Sequence, residues 1–388
     1  MDSAGLHGAS PLRVLLVSPL PPPSGGIGRW TVLLLGWLQS KPGVAVRTVD
    51  TSPRWRAVED MKLWKRVVGG ILQGLRDGWR ASLQLARFRP HVVHLNTSAQ
   101  LRGPWDTVML AVATMLGVRS IYHLRMGRLP QILARKRWEW WGLWGALRLA
   151  DQVVVLDQES EEALKRVLPA KRVVRLPNAI APPSPGVGHA GAEGPSVLYL
   201  GHVIPTKGMK ELMEAWRELR PRGWRLQLAG LGSTTYQEAL RQVVGPDAGV
   251  AFLGDLPPEA AWRCMQAAEV FVLPTYTEGF PNVILEAMAA GKAILSTRVG
   301  AVPEMLDADR DEPCGLVVKP RDVAALAAAL RQLLSDPQLR ETLGRRAQAK
   351  LARSYTTDVV FDRLLRLWNH AAGRQANVGA PSCSVVAK

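Results

Sequence analysis

Residues 269–299 read EVFVLPTYTEGFPNVILEAMAAGKAILSTRV. A short Val/Phe/Leu run ends at Pro-Thr, a Gly-Phe-Pro-Asn turn follows, and a helical stretch then runs to Gly291 before a second Ile/Leu/Val run. This is a strand–loop–helix–strand unit. Two such strands lie side by side and parallel, because parallel neighbours need a crossover connection. Within the unit, EGFPNVILE (278–286) puts Glu278 on the loop at the strand's carboxyl end. Glu286 falls inside a helix whose first turn suits Pro281, about 7.5 Å further along the axis. Between the two lie helix N-terminal amides that are unpaired and carry partial positive charge. Two acceptor carboxylates flanking a set of N–H donors suit a ligand with hydroxyls at two points and negative charge between. Taken in isolation, the same pair reads as a helix cap and a solvated glutamate.

Working outward, the alternation repeats along the whole chain of 388 residues. In the first half, strands are expected at 13–18, 44–49, 91–96, 118–123, 152–157 and 172–178. In the second half they are expected at 196–201, 225–230, 250–254, 269–275, 292–299 and 315–320, with helices between. Residues 178–196, NAIAPPSPGVGHAGAEGPS, are rich in Pro, Gly and Ala and read as a linker. The division expected is a first domain at 1–178, a linker at 179–195 and a second domain at 196–352. A helix at 353–373 and a flexible tail at 374–388 follow. Both domains read as doubly wound α/β units, whose ligands bind in a crevice at the strands' carboxyl ends. A cleft between the domains is therefore the expected site.

Hydrophobic content of 47% and charged content of 21% are those of a globular chain. Cys264, Cys314 and Cys383 share no metal or disulfide spacing, which suits a reducing compartment. No signal peptide is apparent, and the apolar run at 108–118 is far short of the roughly 20 residues of a membrane span. A cytoplasmic protein, soluble or peripheral to a membrane, is expected. The net charge of +16 is lopsided: residues 1–180 hold 26 Lys and Arg against 12 Asp and Glu, the remainder 23 against 21. The first half should meet an anionic partner. Of the 14 tryptophans, seven lie in two basic segments of that half, 54–89 and 135–150.

The motif series GHVIPTKG (201–208), LAGLG (228–232), FLGDLP (252–257) and LPTYTEGFPNVILEAMAAG (273–291) resembles, in order and spacing, glycosyltransferase family 4. That family comprises retaining enzymes of the two-domain GT-B architecture. The likeness is strong over 196–352 and weaker through GGIG (25–28) and IYHLRMG (121–127). The resemblance implies two Rossmann-like domains facing each other across a cleft, with a C-terminal helix crossing back to the first. It implies a nucleotide-diphosphate sugar as donor, no cofactor and no metal. Glu286 would accept from the ribose hydroxyls. Glu278 would hold the transferred sugar, with amides of Gly279, Phe280, Asn282 and Val283 reaching its hydroxyls and phosphate. Lys207 would neutralise the diphosphate, and Gly26 would let the first domain's backbone approach it. His123 would face the reacting sugar, and Phe252 and Leu253 would meet the base. His202 stands where the family usually has an arginine, so either Lys207 carries more of the diphosphate or another residue such as Arg125 substitutes.

Asp307-Ala-Asp309 and Asp309-Arg-Asp311 mimic a metal clasp but fall in a polar loop far downstream of the site helix. GGIG lacks the full dinucleotide fingerprint. In GT-B enzymes the first domain receives the acceptor, and here it carries the basic, Trp-rich segments. Met61, Trp64, Val68, Ile71, Leu75, Trp79 and Leu83 recur at helical spacing, and Trp138, Trp140, Trp141 and Trp144 follow a basic cluster. Such helices suit an anionic bilayer surface, or else are core helices with a solvated basic face. No nucleic-acid-binding motif is present. The expected activity is sugar transfer to a lipid-linked saccharide or another cell-surface glycan precursor at the inner membrane face, with Trp64, Arg125, Trp138 and Trp141 on the acceptor or membrane side. Alternatives are a soluble transferase for a small metabolite, a nucleotide-sugar epimerase of the same architecture, and an inactive nucleotide-sugar-binding subunit.

Overall fold

A computed structural model describes residues 10–22, 25–52, 63–99, 103–135, 138–181, 194–246 and 248–374. Each of the twelve expected apolar runs forms a strand. The first six are β1 (Leu12–Ser18), β2 (Val44–Asp50), β3 (Val92–Thr97), β4 (Arg119–Leu124), β5 (Gln152–Val155) and β6 (Val173–Arg175). They form one parallel sheet in the order β2-β1-β3-β4-β5-β6. The second six are β7 (Ser196–Leu200), β8 (Arg225–Ala229), β9 (Val250–Gly254), β10 (Val270–Leu273), β11 (Ala293–Thr297) and β12 (Leu316–Val318). Their sheet is also parallel, ordered β12-β11-β10-β7-β8-β9.

Helices on both faces make every crossover. In the first half they are α1 (Gly26–Leu38), α2 (Leu63–Phe88), α3 (Gly103–Met115), α4 (Leu129–Arg135), α5 (Trp138–Leu149) and α6 (Gln158–Lys165). The second half has α7 (Met209–Leu219), α8 (Thr234–Val244), α9 (Pro258–Ala267), α10 (Asn282–Ala289) and α11 (Val302–Met305). It closes with α12 (Val323–Ser335), α13 (Pro337–Ser354) and α14 (Thr357–Ala371). β7, β10 and β11 are buried at every position, as strands covered on both faces must be.

Several strands end earlier than the sequence suggests, and for two of them the local cause is plain. β5 stops because Asp157 turns to cap α6, accepting from the Ser160 N–H at 2.8 Å. β6 stops before Pro177, which has no N–H to give, and Asn178 reaches the second domain instead. Residues 182–193 of the expected linker and 375–388 of the expected tail lie outside the described residues.

α14 crosses back to the first domain, as the resemblance implies. Ile180 and Thr356 bridge, and Val360, Phe361, Leu364 and Trp368 bury themselves against Trp30, Leu34 and the first sheet. Each such side chain contributes about 1.5–3 kcal/mol on burial. The helix is thus a working part of the first domain's core.

The strand orders fix where ligands go. The first sheet reverses direction at β1/β3 and the second at β7/β10. At such switch points the loops leaving adjacent strands splay to opposite faces and open a crevice at the carboxyl ends. The loop after β10 contains Glu278, the loop after β7 contains Lys207, and the loop after β1 leads into Gly26, the first residue of α1.

Candidate active site

The loop after β10 is pinned by its neighbours. Ser296 Oγ donates to the Leu273 carbonyl at 2.8 Å, and Thr297 Oγ1 donates to the Thr275 carbonyl. The Tyr276 N–H donates to the Thr206 carbonyl at 3.0 Å, tying this loop to the turn Pro205–Lys207 after β7. Gly208 leaves that turn at φ +70°, and a Cβ there would overlap the Pro274 carbonyl. Only glycine allows the two loops to lie this close. Lys207 Nζ is thereby brought onto Glu278, with which it forms an ion pair.

Pro281 caps α10 without a side-chain acceptor, and no acidic residue occupies the first turn. The N–H groups of Asn282 and Val283 precede the helix's first internal bond, leaving the positive end of its dipole open. One turn further, Glu286 lies 3.7 Å from Arg29 on α1. Burial raises the Glu286 pKa and the Arg29 charge opposes that rise.

The first domain closes on this site at three points. α1 also begins without a side-chain cap, and a Cβ on Gly26 would stand 3.6 Å from Asn282 Nδ2. Gly127, just past β4, abuts the Glu278–Gly279 peptide so closely that a Cβ would overlap the Glu278 carbonyl. Asn178 donates through Nδ2 to the Phe280 carbonyl (3.1 Å) and to Asn282 Oδ1 (2.8 Å). Its own oxygen accepts from Arg125, whose Nε donates to Asn96 Oδ1 at 2.7 Å. Asn96 in turn donates to Ser18 Oγ (3.0 Å), which lies 2.6 Å from Thr31 Oγ1 on α1. A continuous polar chain therefore links the amino-terminal turns of α1 and α10. The uncapped starts of two helices, one from each domain, face each other with Lys207 and Arg29 alongside.

Lys207, Glu278, Gly279, Asn282, Glu286 and Gly26 are thus assembled in one place. Phe280 is buried edge-on against Tyr355 and lends its carbonyl to Asn178; Val283 packs on the second-domain core. His123 is fully buried at the end of β4, with Nδ1 3.1 Å from His94 Nε2. The His202 side chain is exposed, and its carbonyl accepts from Tyr199 Oη at 2.7 Å. Phe252 and Leu253 lie on edge strand β9, the Phe252 ring 4.4 Å beneath the Arg241 guanidinium.

Arg125, expected on the acceptor or membrane side, stacks its guanidinium 3.9 Å over Trp30 and bonds Asn96 and Asn178, which puts it at the domain junction, away from an outer membrane-facing surface. Trp141 is exposed, at 72%. The side chains of Trp64 on α2 and Trp138 on α5 lie outside the described residues. Asp307 pairs with Lys350 and Asp309 with Arg298, which occupies the acidic loop with internal contacts.

Sequence reasoning missed Arg29, Asn178, Asn96 and His94. Arg29 had a legible signal: a cation in the first turn of a helix opposes the dipole, and so marks a residue held there by something else. The others are polar residues in apolar runs, with no local signature.

The comparisons agree with this geometry. The model described as Glycosyltransferase Family 4 matches residues 24–182, and that described as Glycosyl transferases group 1 matches residues 194–336. The chain belongs to glycosyltransferase family 4. Among the curated relatives of this family 4 chain is the sulfoquinovosyl transferase of Arabidopsis thaliana, 25% identical over 68% of the chain and 54% of the relative. A second is the phosphatidyl-myo-inositol mannosyltransferase of Mycolicibacterium smegmatis, 34% identical over 47% of the chain and 46% of the relative. The chain spans about half the length of these relatives. The solved structure of Anabaena HepE with UDP and glucose superposes with a TM-score of 0.65 at 18% identity, covering 92% of this chain and 99% of that one. The shared fold is GT-B: two Rossmann-like domains.

Proposed function

We propose that the protein is a retaining glycosyltransferase whose nucleotide-diphosphate sugar lies across the amino end of α10. The observation that supports this most is the convergence of two uncapped helix starts, Lys207 and Arg29, between two carboxylates. In this reading Glu286 grips the ribose and Glu278 the sugar. Both glutamates are now paired with cations, Lys207 and Arg29, and the donor exchanges these pairings: Lys207 turns from Glu278 to the diphosphate. Breaking the anomeric C–O bond places negative charge on the leaving phosphate; the α10 amides are already oriented to stabilise it, and Lys207 joins them once it has turned from Glu278. That preorganised charge supports a metal-independent reaction. Retention follows from front-side attack, with the leaving phosphate oxygen taking the acceptor's proton.

The acceptor proposed is a lipid-linked saccharide or lipid headgroup at the inner membrane face. Support comes from the surface of the first domain. α3 binds its neighbours through glycine notches: Trp105 fills the space at Gly74 of α2, and Pro104 and Thr107 fill those at Gly142 and Gly145 of α5. The layer so formed exposes Leu72, Leu75 and Trp79 from α2, Val108 and Met115 from α3, Leu116 just after it, and Trp141 from α5. Arg76, Arg80 and Arg87 stand exposed on α2 among them. Apolar residues interleaved with arginines match the headgroup region of an anionic bilayer. No described helix is long and apolar enough to cross a membrane.

The test is acceptor-free hydrolysis of UDP-, GDP- and ADP-sugars by the purified protein, followed by transfer to lipid-linked acceptors in anionic liposomes. Conversion of the donor to an epimer with no hydrolysis would instead favour the epimerase reading. An absence of all turnover would leave a binding subunit.

A further inference from the structure

The buried series Trp368, His94, His123 has a direction built into it. An indole N–H can only donate, and Trp368 Nε1 lies 3.0 Å from His94 Nδ1. That nitrogen therefore accepts, and the neutral His94 ring keeps its proton on Nε2. His94 Nε2 is 3.1 Å from His123 Nδ1, which must accept in its turn. His123 is left with its proton on Nε2, a buried donor with no partner among the described residues. Charging either ring would set two N–H groups head-on, so the geometry keeps both neutral. The groups packed around them enforce this: Trp30 from α1 lies edge-on to both imidazoles, and the Arg125 cation stacks on Trp30.

Trp30 Nε1 and Arg125 Nη2 are also buried without partners among the described residues. Three orphan donors thus lie in one contacting cluster at the carboxyl end of the first sheet, with no orphan acceptor among Trp30, His123 and Arg125. Leaving a buried hydrogen bond unmade is costly, and a ligand oxygen relieves that cost. We propose that Trp368 and His94 are positioning residues that hold His123 as its Nε2–H tautomer, so that this N–H, beside Trp30 and Arg125, donates to a sugar or phosphate oxygen of the bound donor. The tautomer stands on the geometry alone, while its use rests on the donor reading above. It makes the returning helix α14 part of the site, through a side chain 274 residues from its partner in sequence.

Nitrogen NMR of the full chain labelled at histidine tests the relay with no sugar present. The parent should show His123 neutral between pH 6 and 8, with a bare Nδ1 and a protonated Nε2. Trp368→Phe keeps a ring but removes the donor, and His123 should then populate both tautomers. His94→Gln, whose amide still offers an N–H toward His123, should restore the single Nε2–H form. A parent His123 protonated on Nδ1, or a tautomer unmoved in Trp368→Phe, overturns the relay even if one variant folds poorly. In acceptor-free hydrolysis of UDP-glucose, GDP-mannose and ADP-glucose, Trp368→Phe should lose about tenfold in kcat with KM within twofold. Equal kcat despite a mixed tautomer would overturn the positioning role. Failure of the parent to hydrolyse any donor would refute the assigned activity, while the NMR spectra would still decide the relay.

Discussion

The two walls of the cleft are built by different means. On the second-domain side, backbone does the positioning: Gly208, Gly279 and Gly300 let loops touch, and carbonyls of Leu273, Thr275 and Thr206 accept the bonds that fix them. On the first-domain side, buried side chains do it, through Ser18, Asn96, Arg125, Asn178, His94 and His123. A wall made of backbone contacts depends on small residues at fixed spacing, so it leaves a motif. A wall made of side chains depends on partners drawn from across the chain, and leaves none. The contacts that position the second-domain wall should fail on added volume, as should Gly127 where the first-domain wall meets it; the buried side chains of the first-domain wall should fail on loss of a polar partner.

The largest expected effect is Lys207→Ala. Removing the cation proposed to meet the leaving phosphate should lower kcat by about 10²–10³-fold, with the fold unchanged by circular dichroism. Next, Gly127→Ala puts a methyl into the Glu278 carbonyl and should destabilise by about 1–3 kcal/mol. Thermal unfolding measures that, and a donor-bound rate reduced at least severalfold should accompany it. If Gly127→Ala were neutral, the two walls would not meet where the structure has them meeting.

Acid sensitivity probes the side-chain wall. Burial lowers the His94 pKa to about 3, from an ordinary 6.5. The unfolded chain therefore takes up a proton first as pH falls, and the stability owed to this group is complete above about pH 6.5 and declines toward pH 3. His94→Gln should flatten that part of the stability–pH curve measured by urea unfolding; an unchanged slope would mean His94 is not the buried neutral ring seen here. The smallest effect on activity should come from the outer surface. Trp79→Ser with Trp141→Ser should leave acceptor-free hydrolysis within twofold while reducing flotation with anionic liposomes severalfold. Full retention of flotation would place membrane contact elsewhere.

The sequence announced both sheets, because the central strands β1, β3, β4, β5, β7, β10 and β11 are buried along nearly their whole length and so are rich in apolar residues, and it announced the loops that bring Glu278 and Lys207 together. It could not say which face of α2 turns inward. The apolar stripe that includes Leu75 and Trp79 suits a core face or a bilayer surface by periodicity, yet Gly74, Ala81 and Leu85 are the residues that pack inward. Small residues form the notch that α3 fills, and a hydrophobic stripe gives no indication of a notch. Asn178 was equally silent: its neighbours Pro177 and Ala179 mark only a chain leaving a strand, while its partners lie more than 50 residues away on both sides.

The most direct trial of the whole account is a structure of the protein with a bound nucleotide-diphosphate sugar. Lys207 should have left Glu278 for a phosphate oxygen, the Asn282 and Val283 amides should point at that diphosphate, and Glu286 should hold the ribose. A nucleotide seated anywhere but the start of α10, with the Lys207–Glu278 pair intact, would contradict it.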